Sequence, residues 1–377
     1  MDFFNSFMHA LGTAVLGVAT WLTIIIGSFG AHVAIKNTPI PAPPQKVTQS
    51  LPVSTTGAST TKSAATTPKK KTPTPLPQTP APSAPPIITN EIIAQTNTQT
   101  RLSLVNILCN FHTNNTSSYI SGSGLMVDSR GVVLTNAHVA QFFLLQDYPH
   151  ASSTSCTVRT GNPAIPTYSA ALLYLPPLWI ENNASQILSD SATGTGERDY
   201  AFLYIAGPTQ FAPPLPSSFP ALSLSTENPK QNDPVLLVGY PAGFLDANGI
   251  QRNLYVSSAV SAIQKLYAFL TTDHVDLISL GGTAVSQSGS SGGAVINLTS
   301  GKLVGLIATE SEGTTTASRD LRAITLLHID RSLKEDGKGG IAALLFGNLL
   351  KTSQDFNATI APGLTKQLVV AIEKQLH

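Results

Sequence analysis

Between residues 104 and 325 the chain alternates short runs rich in Val, Ile, Leu and aromatic residues with turns of Gly, Pro, Asn and Ser. Runs of this length, bounded by turn residues, predict short β-strands. One group of six is predicted at 104–111, 119–127, 132–135, 156–160, 167–174 and 200–205. A second six is predicted at 234–239, 254–263, 275–279, 294–297, 303–309 and 321–325. Residues 326–335, 341–350 and 362–376 are predicted to be helical. The fold class expected is all-β with C-terminal helices. Composition agrees: 11% charged residues, 42% hydrophobic residues, 28 Gly and 27 Pro suit a loop-rich β fold, not a helical bundle.

The pattern is different before residue 87. Residues 3–35 contain no Asp, Glu, Lys or Arg, and residues 11–35 exceed the roughly 20 apolar residues that cross a bilayer. A signal peptide is the competing reading. It fits less well, because no Lys or Arg precedes the apolar stretch and the cleavage-like residues Ser28-Phe29-Gly30 are weak. Residues 1–35 are expected to be a transmembrane anchor, with the membrane contact at residues 11–35. Residues 36–86 hold thirteen prolines, many Thr and Ser, and Lys69-Lys70-Lys71, too little apolar bulk for a core. They are expected to be a disordered linker, spanning about 40 Å as a coil and about 160 Å as polyproline II. A folded domain is expected over 87–335 and a helical extension over 336–377.

Three segments carry candidate chemistry. His138 ends the run Val132-Val133-Leu134-Thr135-Asn136-Ala137-His138. Asp199 opens the apolar run Asp199-Tyr200-Ala201-Phe202-Leu203-Tyr204-Ile205. Ser291 sits in Gly289-Ser290-Ser291-Gly292-Gly293, ahead of the apolar strand at 294–297. A serine hydroxyl is a poor nucleophile until a base takes its proton. Histidine suits that task near neutral pH, and a buried aspartate fixes its tautomer. The glycines allow a tight turn whose N–H groups can face a developing oxyanion. The other histidines lack such a setting, and Asp190, a rival to Asp199, lacks the following apolar strand. Counting back from Gly292-Gly293 selects Ser291 over its neighbour Ser290.

His, then Asp 61 residues on, then Ser a further 92 on, is the chymotrypsin-type order. Thr135-Asn136-Ala137-His138, Asp199-Tyr200-Ala201-Phe202-Leu203 and Gly289-Ser290-Ser291-Gly292-Gly293 together resemble the trypsin-like serine proteases, most nearly the bacterial HtrA/Deg-like branch. Gly122-Ser123-Gly124-Leu125-Met126-Val127 and Val238-Gly239-Tyr240-Pro241-Ala242-Gly243 support the likeness, which spans about residues 101–330. It implies two six-stranded antiparallel β-barrels, chymotrypsin-like, with the active site between them. It also implies an oxyanion hole from the N–H groups of Gly289 and Ser291, and substrate binding along Leu306, Ile307, Ala308 and Thr309. The apolar make-up of that strand favours a small or medium apolar P1 residue; Glu310 would instead favour a basic one.

The resemblance has departures. Forty-seven residues follow position 330, too few for the PDZ domain that many HtrA-like proteins carry. Ser290 stands where zymogen relatives have an aspartate that pairs with a freed N-terminus, so activation by N-terminal cleavage is not expected. Cys109 and Cys156, the two cysteines, fall on strands one and four, neighbours once the implied barrel closes. A disulfide outside the cytoplasm and a pair of buried thiols are both compatible with that. Lys36 and Lys46 mildly favour a cytoplasmic location for the residues after the anchor; the family's habit of working outside the cytoplasm outweighs them. Expected partners are protein or peptide substrates. No cofactor or metal pattern occurs, net charge +1 gives no sign of nucleic acid, and nothing indicates an oligomer. The expected function is a membrane-tethered, extracytoplasmic serine endopeptidase in quality control or processing. The alternative is a latent trypsin-like domain acting as a binding or chaperone module.

Overall fold

The computed structural model describes residues 87–112, 117–189, 194–269, 274–310 and 315–376. The expected anchor and linker, and Asp190, lie outside them. Among the described residues no helix is long and apolar enough to cross a membrane.

The first six strands are β1 (Leu104–His112), β2 (Ser117–Asp128), β3 (Val132–Thr135), β4 (Thr154–Thr160), β5 (Ile165–Tyr174) and β6 (Ala201–Pro208). They close into an antiparallel barrel in the order β1-β2-β3-β6-β5-β4, so none of the six is left as a free edge. Val105, Ile107, Val133, Val158, Leu172 and Leu203 share the inner face and are almost wholly buried. Cys109 and Cys156 face each other in the β1–β4 register and are joined by a disulfide.

The second group comprises β7 (Pro234–Gly239), β8 (Ser257–Ala262), β9 (Lys265–Tyr267), β10 (Leu277–Gly281), β11 (Ala294–Asn297), β12 (Lys302–Glu310) and β13 (Leu321–Thr325). Their order is β8-β7-β11-β12-β13-β10-β9, a seven-stranded half-barrel and not the closed six-stranded barrel expected. The strand expected over 254–263 is β8 alone, and β9, which was not expected, follows it; the two lie at opposite ends of the sheet. The cause lies at Ile263. Its N–H donates to Asp233 C=O at 3.0 Å and its C=O accepts from Asn232 N–H at 2.8 Å, so it is unavailable to β10. The chain then bends, and Gln264 N–H takes up Ser279 C=O at 2.7 Å.

Helices surround these sheets. The sequence reading missed α1 (Asn90–Ser103), whose buried residues are Thr96, Thr100 and Ser103, not an apolar stripe. Arg101 near its end donates to Ser258 Oγ of β8, with Nη2 at 2.9 Å. Short helices α2 (Ala137–Ala140), α3 (Pro177–Asn183) and α4 (Ala247–Arg252) lie in connections. Helix α5 (Leu326–Glu335) has the expected bounds and is capped by Thr325, whose Oγ1 accepts His328 N–H at 3.1 Å. The helix expected over 341–350 is broken into α6 (Ile341–Leu344) and α7 (Leu349–Thr359). Gly347 between them has φ +84°, and Asn348 caps the new start.

With α8 (Ala361–Leu376), these helices pack on the outside of the closed barrel. Ser353 Oγ and Asn357 Nδ2 both donate to Leu172 C=O, at 2.8 and 2.7 Å, and the Phe356 ring meets Tyr174 edge-on. Leu349, Phe356, Leu364, Leu368 and Ile372 belong to the same buried cluster as the barrel interior, so the C-terminal extension is part of one core.

The disulfide joins positions separated by 47 residues. Replacing both cysteines by alanine is expected to lower the unfolding free energy by about 2–4 kcal/mol, read as a shift of the denaturant midpoint.

Candidate active site

β3 delivers the chain to Thr135, Asn136 remains extended, and α2 begins with His138 in its first turn. The Asp199 carboxylate holds this histidine twice. His138 N–H donates to Oδ1 at 3.0 Å, and Nδ1 lies 2.7 Å from Oδ2. Nδ1 is thereby committed to the carboxylate, and Nε2 has no hydrogen-bond partner among the described residues. Asp199 is 4% exposed, whereas the His138 side chain is 34% exposed. Burial works against the imidazolium, but the charge of Asp199 and its hydrogen bond outweigh it and hold the His138 pKa above the ordinary value.

Asp199 is fixed through its neighbours. Arg198 sits at φ +57°, a left-handed conformation that a non-glycine residue keeps only when its surroundings demand it. Here its guanidinium reaches α5 and the residue after it, donating to Ser332 Oγ at 3.1 Å, Glu335 Oε2 at 2.7 Å and Asp336 Oδ1 at 2.6 Å. Tyr200, on the other side, donates from its hydroxyl to Ser332 Oγ at 2.9 Å. The Asp199 carbonyl accepts Asn136 Nδ2 at 2.7 Å. The sequence reading missed Arg198 and Asn136 as supports; both stood inside the quoted motifs, next to residues it did select.

The turn that carries Ser291 precedes β11. Ser290 is 1% exposed and its buried hydroxyl has no partner among the described residues, whereas Ser291 is partly exposed. Ser291 is thus the serine that faces outward. Its C=O accepts Ser123 N–H of β2 at 2.7 Å, which ties the half-barrel to the closed barrel. Its hydroxyl has no hydrogen bond among the described residues.

Backbone amides along the turn divide into two kinds. Ser290 N–H donates to Gln287 C=O at 3.1 Å, Gly292 to Ile307 at 2.8 Å and Gly293 to Ser290 at 2.9 Å. Gly289 and Ser291, with the exposed Ser288, donate to nothing among the described residues. The Ser288 C=O accepts Ala242 N–H at 2.7 Å. Because the peptide unit is planar and trans, that bond turns the Gly289 N–H the opposite way.

The tight approach requires glycine. A Cβ on Gly292, at φ +85°, would come within 1.9 Å of Ser123 C=O and 2.7 Å of Thr135 Oγ1. This sets the turn beside the strand end that leads to His138. A Cβ on Gly289, at φ +90°, would come within 2.6 Å of Tyr240 C=O.

The expected substrate strand is narrower in the structure. Leu306 and Ile307 are core side chains, paired with Ile324 and Ala323 of β13. Ile307 also spends both backbone groups on Gly292 and Gly293. Ala308 and Thr309 lie beyond the last β11–β12 pair, Ala294↔Leu306, where that edge of β12 is unpaired by β11. Among the described residues no group of His, Cys, Asp and Glu is arranged to hold a metal.

Residues 122–306 match the family model for the trypsin-like peptidase domain. That segment contains His138, Asp199 and Ser291. Among solved structures the chain is similar to "Crystal structure of Deg5" at 17% identity, with 65% of this chain and 91% of that chain covered and a TM-score of 0.41. A comparison with curated proteins gives no match.

Gly292→Ala is expected to lower the unfolding free energy by about 2–4 kcal/mol, from strain plus overlap. Gly301→Ala, also at positive φ but with nothing within 4 Å of the added Cβ, should cost about 1 kcal/mol. Denaturant unfolding of both variants measures the difference; equal losses would contradict the close packing at Gly292.

Proposed function

We propose that the chain is a serine endopeptidase in which Ser291 is the nucleophile, His138 the general base and Asp199 the carboxylate that orients it. Ser291 Oγ attacks the scissile carbonyl carbon as His138 Nε2 takes its proton. The carbonyl oxygen gains the negative charge and meets the amides of Gly289 and Ser291. When the intermediate collapses, the C–N bond breaks and the amine leaves with the proton from Nε2. Water then repeats the sequence on the acyl-enzyme, releasing the acid and restoring Ser291. The observation that carries this reading is the double hold of Asp199 on His138, combined with a turn whose Gly289 and Ser291 amides are unspent.

The reading extends to the setting. Residues 11–35 would anchor the protein, residues 36–86 would serve as a stalk, and the domain would work outside the cytoplasm on misfolded or specific proteins, in the manner of the HtrA/Deg-like branch. The disulfide supports an oxidising compartment. A latent binding module is the second reading, favoured by the unbonded Ser291 hydroxyl. Against it, such contacts often tighten only in the substrate complex.

A fluorophosphonate probe tests the first reading on the full chain. Wild type should be labelled, and Ser291→Ala and His138→Ala should not; an unlabelled, folded wild type would sink it. The pH dependence has a definite sign. His138 acts as a base only when neutral, and its pKa is raised. Labelling should therefore fall on acidification with a midpoint above about 6.5, the ordinary histidine value. Asp199→Asn should slow the reaction by about 10⁴-fold.

A further inference from the structure

Ser123 is wholly buried in β2, between two glycines. Its hydroxyl donates to Gly289 C=O at 2.8 Å and accepts Tyr240 N–H at 2.9 Å. Its own backbone is held as well, N–H to Ser291 C=O at 2.7 Å and C=O to Thr135 Oγ1 at 2.7 Å. One side chain from the closed barrel therefore grips a carbonyl inside the turn whose amides the proposed reaction needs.

We propose that Ser123 is a positioning residue for the oxyanion hole. It rests on the serine-protease reading above. Two peptide planes decide where the turn's amides point. The Ser288–Gly289 plane is pinned by Ala242 N–H, which leaves Gly289 N–H on the far side. The Gly289–Ser290 plane is pinned by the Ser123 hydroxyl, which keeps Ser290 N–H directed at Gln287 C=O and away from the site. Without the hydroxyl, Gly289 C=O and Tyr240 N–H would both be buried without a partner. The plane would then rotate to find one, carrying the flanking amides of Gly289 and Ser291 with it. The signal in the sequence is a serine between glycines within a strand, a mark of close backbone approach.

The test uses the full chain and a fluorophosphonate, whose phosphoryl oxygen gains charge in the same hole. Ser123→Ala is expected to lower the limiting inactivation rate by about 10–100-fold, with the half-saturating probe concentration changed by less than about twofold. Ser353→Ala is the control for general loosening, because Ser353 is also buried and donates to a carbonyl, Leu172, in the α7–β5 contact. It should lose thermal stability and keep the wild-type rate. A wild-type rate in Ser123→Ala, or an equal fall in Ser353→Ala, would overturn the proposal and leave the protease reading intact. If wild type itself is not labelled, the protease reading fails. The crystal structure of Ser123→Ala then decides the positioning role: a rotated Gly289–Ser290 peptide upholds it and an unmoved one overturns it. Should Ser123→Ala not fold, Ser123→Cys, with its weaker donor, should show a smaller fall of about threefold or more; no fall would overturn the proposal.

Discussion

The contact between the 289–293 turn and β2 is where the two β-systems become one site. It joins Ser291 C=O to Ser123 N–H and the Ser123 hydroxyl to Gly289 C=O, with Gly292 pressed so close that any side chain would strike the Ser123 carbonyl. Backbone groups buried at such a junction must be paired, because each unpaired one costs a large part of its lost hydration. In the turn, the Ser290, Gly292 and Gly293 amides are paired within the half-barrel, with Gln287, Ile307 and Ser290. The Gly289 and Ser291 amides stand out because so much around them is satisfied.

Two further ties bridge elements that lie far apart in the chain. Arg198, the residue before Asp199, binds α5 and Asp336, so the position of the carboxylate depends on a helix more than 130 residues later. Arg159 of β4 is buried, its Nε on Asn106 Oδ1 at 2.7 Å and its Nη1 on the carbonyls of Ile250 and Gln251 at 2.9 and 3.0 Å. Burial lowers its pKa to about 10, which still leaves it charged near neutral pH. Asn106 in turn donates to Gly122 C=O at 2.7 Å, beside Ser123. A charge held by carbonyls and an amide, with no carboxylate partner among the described residues, makes this tie directional, and it fastens α4 to the barrel that carries His138.

Strands were the most legible elements, because a run such as 132–135 or 294–297 is too apolar to lie outside and too short to be a helix. Their bounds in β3, β7, β11 and β13 follow the apolar runs. Helix α5 was equally clear, with a threonine cap and an apolar face. Helix α1 was not, because it buries threonines and a serine, which carry no amphipathic signal. The break between α6 and α7 depended on one glycine at positive φ. The half-barrel depended on Ile263, whose pairing with residues 232–233 is a contact between separate segments that no local pattern records.

The candidate residues divide along the same line. His138, Asp199 and Ser291 could be selected from the chain because each stands in a local setting that its chemistry needs: a strand end, the head of a buried strand, a glycine turn. Residue type and neighbours carry that information. What surrounds them belongs to the folded protein. The hold of Asp199 on the His138 backbone, the packing of Leu306 and Ile307 against β13 and the grip of Ser123 on Gly289 are all contacts between distant segments. Hydrogen bonds and close packing act over a few ångströms of space, whatever the separation in sequence, so only the tertiary structure could decide them.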